Sequence, residues 1–181
     1  MSNRHHVRAL VLMSATVAVL AASVPANAAI PRGRIGLGDS VMRGATSQLQ
    51  ARGIRVDTAV SRQFSSLPEL MRRLKNRDKL RKTVIVHLGN NGYLERRDCD
   101  RATRIAGSRR HLYLVTLKVP RQWRADNNDR LKSCARRHNN TSIIDWFGHS
   151  VNHPGWFASD LYHLTASGAR HYAGFIGRKS A

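Results

Sequence analysis

The chain has 181 residues and carries 31 Lys and Arg against 11 Asp and Glu, which gives a formal charge of +20. This length suits one domain, because single hydrophobic cores commonly serve about 100–200 residues. The charge predicts attraction to polyanions, anionic wall polymers among them, but it selects no fold. Aromatic residues do not interleave with the densest basic run, 72–82, which can equally be a solvated helix face, so no specific nucleic-acid partner is expected.

The first 28 residues have the pattern of a secretory signal peptide. Arg4 and Arg8 precede an apolar run over 9–23, and Ala26-Asn27-Ala28 supplies a small-residue cleavage site. The run is about 15 residues, shorter than the ~20 that a membrane-spanning helix needs, so a permanent anchor is the less favoured alternative. We therefore expect 1–28 to be a signal peptide and 29–181 to be one folded domain. The mature chain would be secreted, without a membrane span, and free or held at the cell wall by its charge.

Short apolar segments alternate with helical patterns along the rest of the chain. The predicted strands are 34–37, 55–60, 83–88, 111–117 and 142–145, and the predicted helices are 66–80, 127–137 and 167–176. The third and fourth strands are nearly continuously apolar, which is typical of parallel strands covered on both faces. The alternation predicts an α/β domain with three layers, α/β/α, around a doubly wound parallel sheet of about five strands. Functional loops in such domains lie beyond the carboxyl ends of the strands.

Gly38-Asp39-Ser40 follows the first predicted strand directly. Asp and Ser before a helix commonly accept hydrogen bonds from its free N–H groups, which is the ordinary explanation of such a triplet. A serine at a sharp turn after a buried strand can also be a nucleophile. The two interpretations are compatible, because the turn that exposes the hydroxyl can also begin a helix.

Two later segments carry polar side chains to the same predicted edge. Gly89-Asn90-Asn91-Gly92 follows the third strand and is either a plain Asn-Gly turn or a source of amide donors. Asp160 and His163 precede the last helix, three residues apart. That spacing lets the carboxylate hold one imidazole nitrogen while the other faces a serine, as a hydroxyl nucleophile requires.

These blocks resemble the SGNH (GDSL-type) hydrolase family over about 140 residues. The segments GDSVM, VSRQF, VIVHLGNNG, LVTLKVPRQW and HPGWFASDLYHLTASGARHYA are similar, more narrowly, to the extracellular SGNH domain of peptidoglycan O-acetyltransferase-type proteins. The resemblance implies a flavodoxin-like sheet. It also implies that Ser40 is the nucleophile, His163 the general acid and base, and Asp160 the residue that orients His163.

The resemblance further implies three donors to the oxyanion: the backbone N–H of Ser40, a backbone N–H in the second block, and the side-chain amide of Asn91. The second block usually presents a glycine, whereas here Ser61-Arg62-Gln63 stands in its place and Arg62 lies nearest the expected position. A backbone donor does not need glycine, although the arginine side chain can narrow the cleft or bind an anionic substrate. The third block normally ends in Asn-Asp, whereas Gly92 replaces the acid here.

Several other residues have alternative interpretations. Cys99 and Cys134 can pair in an oxidising compartment or remain two thiols. His149 and His153 can be argued as metal ligands on a helix, but Pro154 and the lack of a third ligand weigh against this, and no metal or cofactor is expected. Asp145 is either a loop carboxylate or a capping group. Four aromatic residues can line a sugar cleft or pack in the core: Trp123, Trp146, Trp156 and Phe157.

The sequence therefore predicts an exported serine esterase or acyltransferase that acts on O-acyl esters, in the first place O-acetyl esters, of a cell-surface glycan or on small esters. Esterase and transferase share the same nucleophile and donors, so the motifs do not separate them, although the lack of a multi-span domain favours hydrolysis. A basic protein that binds polyanions or cell wall on the same scaffold without turnover is the alternative, because one fold hosts many functions.

Overall fold

Five parallel strands form one sheet in the computed structural model, which describes residues 30–181. The strands are β1 (Arg34–Gly38), β2 (Ile54–Thr58), β3 (Thr83–His87), β4 (His111–Val115) and β5 (Thr141–Ile144). Their order is β2-β1-β3-β4-β5, which is the flavodoxin-like arrangement of a doubly wound sheet. The predicted fold class is confirmed. The predicted signal peptide, 1–28, lies outside the described residues.

The register of the central strands brings three loops to one edge. Gly38 at the end of β1 pairs with Thr58 of β2 on one side and with His87 of β3 on the other. The segments that follow β1, β2 and β3 therefore leave the sheet at the same level. This alignment is what allows Ser40, Arg62 and Asn91 to meet.

Seven α-helices and two short 3₁₀ turns lie between and after the strands in the described part of the chain. The helices are α1 (Ser40–Arg43), α2 (Thr46–Gln50), α3 (Leu67–Asn76), α4 (Arg96–Ala106), α5 (Arg124–Arg137), α6 (Trp146–Ser150) and α7 (Ala166–Lys179), and the turns are Phe64–Ser66 and Pro154–Trp156. The three predicted helices are present as α3, α5 and α7 with shifted ends. The first ends at Asn76, earlier than predicted, because the chain turns through Asp78 with φ +53°.

The sheet divides the apolar core into two layers, because alternate side chains of a strand point to opposite faces. Val84 and Val86 pack in the layer under α3, α4 and α5, whereas Ile85 between them packs in the layer under α2, α6 and α7. Both faces of β3 are thus covered, which explains its continuous apolar sequence.

A disulfide joins Cys99 of α4 to Cys134 of α5. It lies within the first of the two core layers and closes a loop of 35 residues. Among residues 30–181, no helix is long and apolar enough to cross a membrane.

Candidate active site

Asp39, and not Ser40, caps the helix that begins after β1. The backbone N–H of Val41 donates to Asp39 Oδ1 at 3.0 Å, and Ser40 is the first residue of α1. Because the neighbouring carboxylate satisfies the helix end, the Ser40 hydroxyl is left for another partner. The capping and nucleophile interpretations of Gly-Asp-Ser thus fall on different residues.

That partner is His163, which the structure places beside Ser40 although 123 positions separate them in sequence. His163 Nε2 lies 2.9 Å from Ser40 Oγ, and His163 Nδ1 lies 2.6 Å from Asp160 Oδ2. The three predicted catalytic residues therefore form one continuous chain of hydrogen bonds. His163 and Asp160 are both partly open to solvent, so a substrate can reach the serine.

The carboxylate fixes the direction of the hydrogen bonds. An ionised Asp160 can only accept, so Nδ1 of His163 carries the hydrogen and Nε2 is free to accept the proton of Ser40. Burial opposes the ionisation of Asp160, but hydrogen bonds from the side chain and backbone N–H of His163 and from the N–H of Tyr162 outweigh it and hold the pKa of Asp160 below its usual range. Asp160 is thus ionised at neutral pH, as the orienting role requires.

The loop that carries Asp160 and His163 is held at several points. Phe157 forms an antiparallel bridge with Leu164, and the N–H of Ala158 donates to the carbonyl of His163 at 2.8 Å. Leu161 has φ +66°, an uncommon conformation for a side chain of its size. Its carbonyl accepts a hydrogen bond of 3.1 Å from Lys118 Nζ, which also lies 4.8 Å from the centre of the Phe157 ring.

The close approach of α7 also holds the loop that carries Asp160 and His163. The N–H of Thr165 donates to the carbonyl of Trp156, and Gly168 packs directly against that carbonyl. A Cβ atom at position 168 would lie 1.8 Å from the Trp156 oxygen. Only glycine fits there without moving the loop.

Asp39 organises the loop after β3 from a buried position. Its Oδ2 accepts from the amides of Asn90 at 3.0 Å and Asn91 at 3.3 Å. Burial raises the pKa of Asp39 to about 6, although hydrogen bonds from Asn90 and Val41 and the charge of His163 act in the opposite direction. At neutral pH the carboxylate is therefore ionised, and it draws both amides to the serine edge.

The predicted oxyanion donors lie together, but two of them already have partners. The Asn91 amide sits between Asp39 Oδ2 at 3.3 Å and the carbonyl of Arg62 at 3.4 Å. The backbone N–H of Arg62 makes a long bond of 3.4 Å to the carbonyl of Ala59. These bonds are at the weak end of the normal range, so a stronger acceptor such as an oxyanion can replace them. The donor roles of Ser40, Arg62 and Asn91 stay predictions.

The guanidinium of Arg62 does not project freely into the cleft. It forms an ion pair with Asp57 at 2.8 Å and donates to the carbonyls of Asp57 and Gly38. The side chain thus ties the ends of β1 and β2 together, whereas the sequence suggested that it narrows the cleft or binds an anionic substrate. Gly92, the other departure from the family pattern, has φ +147°, and a Cβ there would lie 2.9 Å from Gln63 Oε1.

Two asparagines in the first turns of α5 support the site and were not predicted from the sequence. The amide of Asn127 donates to the carbonyls of Gly89 and Gly92, and its oxygen accepts from the N–H of Leu94. Asn128 pairs with both the N–H and the carbonyl of Leu117. Both are buried. No local pattern marks them, because their partners lie in loops that are distant along the chain.

The remaining candidates lie outside the catalytic group. Asp145 is a capping residue, accepting from the N–H of Gly148 and the hydroxyl of Thr116. The rings of His149 and His153 stack on different aromatic partners, Phe175 and Trp156. Within residues 30–181, the one cluster with metal-ligand spacing is Asp100, Cys134 and His138. The sulfur of Cys134 is already bonded to Cys99.

Sequence comparison finds relatives that are named as peptidoglycan O-acetyltransferases. YrhL of Bacillus subtilis, named provisionally as a peptidoglycan O-acetyltransferase, is 36% identical over 138 residues, which are 75% of this chain and 22% of that protein. The peptidoglycan O-acetyltransferase OatA of Listeria monocytogenes is 31% identical over 151 residues, 78% of this chain and 23% of that protein. The chain thus spans less than a quarter of the length of these relatives. No protein-family model matches it.

Solved structures agree with the fold. The C-terminal catalytic domain of OatA from Streptococcus pneumoniae, solved with a methylsulfonyl adduct, superposes with a TM-score of 0.73 at 25% identity, over 83% of this chain and 93% of that one. A GDSL-like lipase from Bacteroides thetaiotaomicron superposes with a TM-score of 0.62 at 14% identity, over 85% and 92% of the two chains, and shows the fold alone. By its ordered blocks, strand order and relatives, the chain belongs to the SGNH (GDSL-type) hydrolase family.

Proposed function

We propose that the chain is an exported serine esterase or acyltransferase that acts on O-acyl esters, in the first place O-acetyl esters, of a cell-surface glycan. The observation that carries the proposal is the relay from Ser40 Oγ through His163 to Asp160, with contacts of 2.9 and 2.6 Å. The relatives support the substrate class, since they are named peptidoglycan O-acetyltransferases.

The chemistry follows from the relay. Ser40 Oγ attacks the ester carbonyl carbon while its proton moves to His163 Nε2. The bond from that carbon to the alcohol oxygen breaks, and Nε2 gives its proton to the leaving alcohol. Water or a sugar hydroxyl then attacks the acylated serine, loses its proton to Nε2, and releases the acyl group as Ser40 regains its hydrogen. Asp160 stabilises the imidazolium that forms twice in this cycle.

The charge that develops on the carbonyl oxygen needs fixed donors. We assign the backbone N–H groups of Ser40 and Arg62 and the amide of Asn91 to this role. Two of these donors already make hydrogen bonds, but the bonds are long: 3.4 Å for the Arg62 N–H, and 3.3 and 3.4 Å for the Asn91 amide. Such a donor commonly lowers the barrier by about 3 kcal/mol.

Kinetics of the full chain and of Ser40→Ala test the proposal. We expect the variant to lose at least about 10³-fold in kcat/KM on an aryl acetate and on O-acetylated peptidoglycan, because the attacking atom is removed. Ser47→Ala is the matched control, since Ser47 is an exposed serine on the neighbouring helix α2. Peptide mass analysis of the quenched reaction should find the acyl group on Ser40 in the wild type.

Product analysis then separates the two activities. Free acetate from an O-acetylated glycan indicates an esterase, whereas acetyl found only on an added sugar acceptor indicates a transferase. An inactive wild type that binds polyphosphate in a salt-sensitive manner would overturn the proposal. It would support a polyanion- or wall-binding protein instead, which the charge of +20 favours.

A further inference from the structure

A pocket of about 500 Å³ opens directly beside the catalytic group. Its walls are Asn90, Asn91, the segment 120–123 and Tyr162. Two of these residues adjoin the reacting atoms. Asn91 is an assigned oxyanion donor, and the Tyr162 ring centre lies 4.1 Å from that of His163. Whatever occupies this pocket is therefore next to the ester that Ser40 attacks.

One wall of the pocket is formed by the segment that follows β4, Leu117-Lys118-Val119-Pro120-Arg121-Gln122-Trp123. The proposed mechanism gives the residues of this segment no role. Leu117 and Val119 are buried and anchor it in the core. Asn128 binds both backbone groups of Leu117, while its neighbour Asn127 binds the loop that carries Asn91. Helix α5 thus holds both the segment 117–123 and the loop that carries Asn91. The pocket is therefore preorganised, and preorganisation lowers the entropic cost of ligand binding.

Two aromatic rings stand at this pocket. Trp123 lines it, and Tyr93 packs against Trp123 with ring centres 5.8 Å apart. Tyr93 is 57% exposed. An aromatic face that is held beside a catalytic cleft and left in water is suited to the apolar C–H face of a sugar ring.

The other aromatic candidates for a sugar cleft are occupied. Trp146 is fully buried and Phe157 is nearly so. Trp156 is stacked between His153 and His171, with ring centres 4.0 and 4.2 Å away. Of the four aromatic residues that the sequence offers for this role, Trp123 lines the pocket at the catalytic edge.

The pocket also has a cationic residue at its margin. Arg121 lines the pocket and is exposed. A planar guanidinium in this position pairs well with a carboxylate, which it can bind through two hydrogen bonds. The ligand that fits best is therefore a sugar that carries an acidic group on the ring or on its substituents.

We propose that this pocket binds one pyranose ring of an acidic glycan, with Trp123 and Tyr93 against the face of the ring and Arg121 at its carboxylate. The proposal rests on the proposed function, because the pocket would place the sugar hydroxyl that loses or receives the acyl group at Ser40.

Equilibrium binding tests the pocket without any turnover. The protein is the full chain carrying Ser40→Ala, and the probes are soluble glycan fragments of de-O-acetylated peptidoglycan with free carboxylates and neutral chito-oligosaccharides of the same length. We expect the acidic fragment to bind at least about 5-fold tighter than the neutral one. Tyr93→Ala and Trp123→Phe should each weaken binding of both probes by about 10-fold, and Arg121→Gln should abolish only the preference for the acidic probe.

Matched controls are Val151→Ala, an exposed apolar residue away from the pocket, and Arg136→Gln, an exposed arginine on α5. Neither should change binding. Failure of the Ser40→Ala chain to bind either probe, or binding that does not change when Tyr93 or Trp123 is substituted, would overturn the proposal. The binding measurement needs no reaction. If the pocket binds the glycan but the wild-type chain has neither esterase nor transferase activity, only the proposed function is refuted.

Discussion

His87 shows how strongly the interior controls ionisation in this chain. The side chain is fully buried at the end of β3, and Nδ1 lies 2.9 Å from the hydroxyl of Tyr172. Burial lowers the pKa of His87 to about 3. It also raises the pKa of Tyr172 well above its usual range, with a further rise from the charge of Asp39. Both rings are therefore neutral at neutral pH and pack as apolar groups with one shared hydrogen bond.

This histidine makes the protein sensitive to acid. Between pH 6.5 and about 3, the unfolded chain binds a proton at position 87 that the folded chain does not. The stability that neutral His87 contributes is thus present above pH 6.5 and is lost as the pH falls, by about 1.4 kcal/mol per unit. His87→Gln keeps a polar partner for Tyr172 but does not titrate.

Urea unfolding at pH 7, 6, 5 and 4 measures the effect. We expect the wild type to be more stable than His87→Gln at pH 7 and the difference to shrink steadily toward pH 4. Asp39 has the opposite effect on stability. Because its pKa is raised to about 6, the folded state takes up a proton there between about pH 6 and 4 and is stabilised. This effect is the same in both proteins, so it cancels in the difference between them. Parallel stability curves for the two proteins would contradict the assignment.

At the level of elements, the ends of the strands and the first turns of α5 together determine the geometry of the site. The loop with His163 depends on one further contact, from Lys118 after β4 to the carbonyl of Leu161. That carbonyl belongs to a residue with φ +66°. The ammonium group therefore stabilises an uncommon backbone conformation between Asp160 and His163.

Lys118→Met keeps most of the aliphatic stem against Phe157 and removes the donor. We expect kcat on an aryl acetate to fall about 10-fold, as one hydrogen bond to a charged group would predict, with KM changed far less. Lys118→Arg should restore part of the loss. Lys179→Met is the control, because Lys179 also lies over an aromatic ring, Phe175 at 5.9 Å, but on α7. Equal losses in the two methionine variants would contradict a specific role for Lys118.

Sequence patterns predict the strands and the polar blocks well because both depend on local signals. Continuous apolar residues mark β3 and β4, and each polar block directly follows a strand or precedes a helix. The blocks could therefore be placed at one edge, and the structure brings Ser40, Asn91 and His163 together there.

The unpredicted features depend on contacts between distant segments. Helix α4 is strongly basic, and its buried face consists mainly of small residues such as Cys99 and Ala102. It therefore has few of the large apolar residues that mark a helix in a sequence. The roles of Asn127 and Asn128 depend on carbonyls that lie in loops after β3 and β4. The ion pair that turns Arg62 away from the cleft depends on Asp57 at the end of β2.

At the scale of the whole molecule, the disulfide joins α4 to α5 in the layer that covers one face of the sheet. Cys134 lies on the same helix as Asn127 and Asn128, which hold the catalytic loops. A cross-link that closes a loop of 35 residues contributes about 3–4 kcal/mol through the entropy of the unfolded chain.

Reduction should therefore lower stability before it affects chemistry. We expect Cys99→Ser/Cys134→Ser to lose about 3–4 kcal/mol in the free energy of unfolding, while kcat of the folded fraction stays near the wild-type value. Denaturant titrations with and without a dithiol reductant check this, because the wild type should respond to the reductant and the double variant should not. A wild type that is unaffected by reduction would argue against the cross-link in solution.

The separation of 123 residues between Ser40 and His163 also sets an order in time. A chain that leaves the ribosome amino end first presents its serine early and its base late. Until β5 has been added and the loop before α7 has docked, the hydroxyl has no group to take its proton and is no more reactive than any surface serine. In the proposed mechanism an unfinished chain is therefore inactive, and catalysis requires that the loop before α7 has been made and has folded against Ser40.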